Sequence, residues 1–181
     1  MNRVAQQLKE KNIAEYLIYM WQEEDLIRAY GCELERLNAN IIVRYPEEQR
    51  AEMTEWYRNL ITMMREEGVQ DKGHLQINKN VIINLTELHK ALAASPQYPF
   101  YNAAYFKALP FVIELRNKSG KKDEPELETC FEALYGVLLL RLQKKTISEE
   151  TLKAVGAISS FLSMLANYYD KERKGELKFA E

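Results

Sequence analysis

Two ionisable residues stand where an apolar stripe should run. From Asn12 to Tyr30, a helical turn of about 100° per residue puts Ile13, Leu17, Met20 and Ile27 on one face, with Tyr16 and Trp21 at its flanks. Glu24 falls in the middle of that face, and Arg28 lies one turn further on. A charge facing a core is costly unless it is partnered. The spacing therefore supports two chemistries. In one, Glu24 and Arg28 form a partly buried ion pair or tie their helix to a neighbour. In the other they line a polar pocket, with Glu24 as proton acceptor or cation ligand and Arg28 as a clamp for a carboxylate or phosphate. A second concentration of candidates is the segment Tyr98 to Phe106, with five aromatics in nine residues. On a helix these rings cannot all point one way. Phe100 and Phe111 share a face, with Tyr101 and Tyr105 to the side, so some hydroxyls must seek polar partners. The candidate binding residues are thus Trp21, Glu24, Arg28, Tyr98, Tyr101 and Tyr105.

Other chemistries lack their residues. There are only two histidines. His89 follows Thr86-Glu87-Leu88 at the wrong spacing for a Glu-x-x-His metal motif, and His74 sits in a glycine-containing loop. His89 lies at the edge of the Val81, Leu85, Leu88 and Leu92 face, which reads as a boundary position. Phosphate-binding glycine loops and the Gly-x-Ser-x-Gly elbow are absent from the sequence. No metal, no cofactor and no catalytic residue is expected. The acidic runs Glu23-Glu24-Asp25 and Glu47-Glu48 read as solvated faces or helix starts, Glu24 excepted.

The 25 basic and 27 acidic residues leave a net charge of −2, with no basic excess to draw the chain onto nucleic acid. Lys121-Lys122 and Lys144-Lys145 read as solvated turns. Cys32 and Cys130 stand alone, far apart, as expected of reduced thiols packed in helices. The longest apolar run, Tyr16 to Trp21, is far below the roughly 20 residues that span a bilayer, and the N-terminus has no secretory pattern. The expectation is a cytoplasmic protein with no membrane segment.

Apolar residues recur at spacings of three and four, and the few glycines and prolines punctuate the chain. The pattern predicts helices over about 2–10, 12–30, 46–67, 77–94, 99–117, 125–144 and 149–174, with 32–43 continuing the second. Asn12 with Glu15, and Thr146 with Glu149, have capping-box spacing. Pro110 should kink or break its helix. In the last helix Val155, Ile158, Phe161, Leu162, Leu165 and Tyr169 form an apolar side. Gly156, Ser160, Ser163 and Asn167 form an opposite side onto which another helix can close, here taken as one from the same chain. The expected fold is all-α: one bundle of six to seven helices over residues 1–174, then a loose tail over 175–181.

The stretch from Asn12 through Trp21 and Glu24 to Ala29 resembles the N-terminal signature of a bacterial helical family, domain of unknown function number 4924. The resemblance implies a bacterial cytoplasmic helical protein and carries no catalytic residues. The function expected from the residues is a non-catalytic interaction or regulatory module, with a protein partner or a homodimer. The alternative is a small-molecule binding protein or enzyme with a pocket around Glu24 and Arg28.

Overall fold

A computed structural model describes residues 2–120 and 124–179. Those residues form α-helices and one short 3-10 turn, with no strand among them. In order these are α1 (Arg3–Lys11), α2 (Ile13–Ala29), α3 (Leu34–Asn40), the 3-10 turn Ile42–Arg44, α4 (Glu47–Glu66), α5 (Gln76–Ala94), α6 (Pro99–Ser119), α7 (Glu126–Leu142) and α8 (Glu149–Arg173). The eight α-helices among the described residues exceed the expected six to seven. Cys32 does not continue α2: Gly31 and Cys32 both take left-handed backbone, at φ 70° and 55°, and α3 starts afresh.

The chain divides into two compact units, Met1–Val81 and Ile82–Glu181. In the first, α1 packs on α2, α2 on α4, and α3 on α4. The face drawn from periodicity on α2 and one like it on α4 are its core. Ile13, Leu17, Met20 and Ile27 of α2 are buried, as are Met53, Trp56, Tyr57, Leu60 and Met64 of α4. Asn12 caps α2 through its side chain, which accepts from the Ala14 and Glu15 amides. Its own N–H is already spent on the Leu8 carbonyl that closes α1, so Glu15 meets the Asn12 side-chain amide instead.

In the second unit α6 and α7 both pack on α8, and α6 on α7. Ile158, Phe161, Leu162 and Leu165 of α8 are buried there with Phe131 of α7 and Tyr101, Ala108 and Val112 of α6. Three expectations change. The cap of α8 is Ser148, whose hydroxyl accepts from the Thr151 amide, not Thr146. α6 runs unbroken through Pro110. The ring lies on the exposed side, where the carbonyl of the preceding turn can turn to water. The small-residue side of α8, from Gly156 to Asn167, is exposed rather than covered by another helix. Lys144-Lys145 is an exposed turn, as expected, whereas Lys121-Lys122 lies outside the described residues. The segment after Gly175 is held as far as Phe179, because the Tyr98 hydroxyl donates to the Lys178 carbonyl and its ring packs on Phe179.

Candidate functional site

Glu24 is fully buried and fully occupied. Its Oε1 accepts from the Leu75 amide at 2.9 Å and from the Asn78 side-chain amide at 2.7 Å. Its Oε2 lies 2.6 Å from His74 Nδ1. These partners sit at the start of α5, whose first amides have no intrahelical acceptor. Leu75, the residue before α5, has no side chain that can cap, so a carboxylate from α2 does the capping. Glu67 assists, its Oε2 accepting from the Gln76 amide at 2.6 Å. Negative charge at this end also meets the positive end of the helix dipole. Trp21 completes the arrangement by stacking on His74, with centroids 4.0 Å apart and planes 10° apart.

Arg28 comes within 3.9 Å of Glu24, but its short contacts are elsewhere. It pairs with Asp25 at 2.7 Å and donates to the carbonyls of Val69 and Gly73. The guanidinium thus brackets the loop that leads into α5. The helical wheel placed both residues rightly. What it could not show is that their short contacts are to the loop and start of α5, 41 to 54 positions away in sequence, rather than to each other.

The neighbouring Glu23, expected on a solvated face, is buried. It accepts from the Tyr57 hydroxyl at 2.8 Å and also bonds Tyr19. Burial raises its pKa above the usual carboxylate value, and the two hydroxyls only partly offset this. On the wheel Glu23 stands about 100° from Glu24, outside the apolar stripe. Only its tyrosine partners, from within α2 and from α4, explain its position.

Tyr98, Tyr101 and Tyr105 belong to the second unit, where the last two flank a residue read as a boundary histidine. His89 is buried, and its Nδ1 lies 2.6 Å from the Tyr101 hydroxyl. Tyr105 and Phe161 meet the ring edge-on, with centroids at 4.6 and 5.4 Å. Burial lowers the His89 pKa, so the ring is neutral at pH 7. Nε2 has no partner among the described residues, and His89 lines a cavity of about 480 Å³. Thr86, Lys90, Arg116, Glu124 and Glu126 line it too. Glu126 accepts from the Tyr105 hydroxyl at 2.8 Å and lies 3.9 Å from Arg116. A neutral, oriented imidazole beside paired charges can accept or pass a proton. Tyr98 points elsewhere, onto Tyr168 and Phe179.

At α7, carboxylate oxygens of Glu124, Glu128 and Glu132 all lie within 4.8 Å of one another and could hold a hard cation. Their spacing of four and four was visible in the sequence. All three come from one side of one helix and the turn before it, and no second element among the described residues adds a ligand. Cys130 lies buried among the core residues, and that burial pushes its thiol up to about 12.

The last notable surface is on α6. Pro99, Ala103, Phe106, Pro110, Ile113 and Asn117 recur at alternating spacings of four and three, and all are exposed. Phe106 is 64% and Ile113 48% exposed, and Phe100 at the flank is 81% exposed. The helix is therefore two-sided, with Tyr101, Ala108 and Val112 inward and an apolar ridge outward. At 1.5 Å per residue the ridge is about 27 Å long.

Residues 2–176 match the family described as Domain of unknown function (DUF4924). The chain belongs to that family. No curated protein and no solved structure matches it. No helix among the described residues is long and apolar enough to cross a membrane.

Proposed function

We propose that this chain is a non-catalytic helical interaction module acting in the bacterial cytoplasm, and that α6 is the element that engages a partner. The apolar ridge on α6 carries the proposal. Burying one phenylalanine is worth about 1.5–3 kcal/mol, so a helix that leaves Phe100, Phe106 and Ile113 in water forgoes stability that a partner restores. The chemistry of the first unit supports the same reading, since Glu24 and Arg28 spend their polar atoms on the start of α5 and its loop. The two free, buried cysteines suit a reducing compartment. A photo-crosslinking amino acid at position 106, introduced in the native cell, tests the proposal. The expected result is a discrete protein adduct that the same group at exposed Lys153 does not form. Equal, diffuse labelling from both positions would refute it.

The alternative, a small-molecule binding protein or enzyme, draws its support from the second unit rather than from Glu24 and Arg28. That support is the cavity beside His89, where a buried imidazole keeps one nitrogen without a partner among the described residues. Native mass spectrometry of the unstripped protein tests it. A bound small mass that His89→Gln loses would favour this reading over the first.

A further inference from the structure

The cavity beside His89 lies wholly within the second unit, and the neighbours of the imidazole fix where its proton sits. Tyr101 is fully buried, and among the described residues its hydroxyl has one hydrogen-bond partner, His89 Nδ1. If Nδ1 were the donor, the phenolic hydrogen would be buried without an acceptor, which is costly. Tyr101 therefore donates to Nδ1, and the neutral ring carries its proton on Nε2. His89 is only 8% exposed, and Tyr101 takes no part in lining the cavity, so the side of the ring that lines it is the Nε2 side. What His89 presents to the cavity is a buried N–H donor with no acceptor among the described residues.

The first turn of α7 forms another part of the wall, through Pro125, Glu126 and Leu127. Amides in a first turn have no intrahelical acceptor, and the helix dipole is positive there. Pro125, at the N-cap position, makes no side-chain cap. Lys90 and Arg116 bring two positive charges to the cavity, and Glu124 and Glu126 bring two negative ones. Each carboxylate also has a contact of its own: Glu124 accepts from the Thr129 hydroxyl at 3.0 Å and Glu126 from the Tyr105 hydroxyl at 2.8 Å. The lining side chains are thus in formal balance. The helix end and the His89 N–H favour one added negative charge, and the two carboxylates oppose a second.

Resting on the reading of this cavity as a small-molecule site, we propose that its ligand is a small monocarboxylate, whose oxygens accept from His89 Nε2–H at the N-terminus of α7. Lys90 supplies the nearby positive charge from an exposed position on α5, and Pro125 and Leu127 offer apolar surface to a short hydrocarbon tail.

NMR of the full chain tests this, with propionate as the probe. A long-range proton–nitrogen spectrum should show the His89 proton on Nε2. Propionate should then shift the His89 ring signals saturably, whereas inorganic phosphate and methylammonium should not. His89→Phe keeps a ring in the core but removes the donor, and should abolish the propionate effect on the melting temperature. Lys90→Ala, at an exposed position, keeps the test decisive if that variant does not fold, and should weaken propionate binding about two- to fivefold. A proton on Nδ1 overturns the proposal. So do His89 signals unmoved by propionate up to about 50 mM, where even a millimolar site is filled. Phosphate binding in preference to propionate overturns the single-charge argument, and methylammonium binding in preference overturns the anion assignment. The small-molecule reading fails separately. A bound mass in native mass spectrometry that lacks a carboxyl group overturns the ligand class and leaves that reading standing, whereas no bound mass and no response to any of the three probes sinks both.

Discussion

Removing the Glu24 carboxylate should unfold the first unit under conditions that the wild type survives. Glu24→Ala deletes the acceptor for the Leu75 amide, the Asn78 side chain and His74, all within 2.6 to 2.9 Å. Hydrogen bonds to a charged group contribute about 1.5–3 kcal/mol each, though three at one carboxylate are not additive. Stripping one member from a buried polar cluster costs about 3–5 kcal/mol, because the donors left behind are dry and unpaired. With a urea slope of about 1.5 kcal/mol per molar, the midpoint should fall by about 2–3 M. Glu24→Gln is milder, at about 1–2 kcal/mol. The glutamine oxygen can keep the Leu75 and Asn78 bonds, and its amide can donate to His74 Nδ1 if that ring carries its proton on Nε2. The assay is local, since both tryptophans, Trp21 and Trp56, lie in the first unit, and their fluorescence reports its unfolding. An alanine variant that unfolds with the wild type would refute the capping role.

Glu23 should make the first unit less stable at neutral pH than in mild acid. Its folded pKa is raised above 4.5, so its contribution is fully present below 4.5 and lost as pH rises through the raised value. Glu23→Gln should therefore stabilise the protein near pH 7 and flatten this dependence, and an unchanged slope in urea titrations at several pH values would count against it. His89 works in the opposite sense. Its folded pKa is lowered from 6.5, so its stabilisation is present above 6.5 and lost as pH falls through the lowered value; an imidazole titration seen by NMR at or above 6.5 would contradict the burial argument. Arg28→Ala should release the loop it brackets and speed tryptic cleavage after Lys72 several-fold, and an unaltered cleavage rate would mean that α5 alone fixes the loop. Cys130 should resist alkylation in the native protein at pH 8 and react only on unfolding, since burial pushes its thiol up to about 12.

The helices and their inward faces could be read because periodicity is local. Ile13 to Ile27 and Met53 to Met64 needed only their own spacing. The break between α2 and α3 was harder, since Gly31 permits a stop but only the left-handed Cys32 enforces one. Glu24 announced itself as a charge on an apolar stripe. Its partners did not, because His74, Leu75 and Asn78 carry no signal until a loop returns them to α2. Glu23 and His89 were misread for a related reason. Each looks peripheral on its own helix, and each meets a tyrosine, Tyr57 or Tyr101, that only the folded unit brings to it.

The aromatic segment at the start of α6 shows why composition misleads where two faces compete. Phe100, Tyr101, Tyr105 and Phe106 look alike as a cluster, yet a rotation of one position separates Tyr101, fully buried against His89, from Phe100, mostly in water. A helix apolar on both sides has no strong amphipathic direction, so its sequence alone did not say which side the fold would use. The second unit spends one side on its own core. The other repeats at alternating threes and fours, is interrupted by no charge, and has Lys107, Glu114 and Arg116 at its borders. Solubility alone favours charged residues on such a surface. Keeping Phe106 and Ile113 there, with charge confined to the border, is the arrangement an interface requires: apolar contact supplies the attraction, and the border decides what it accepts.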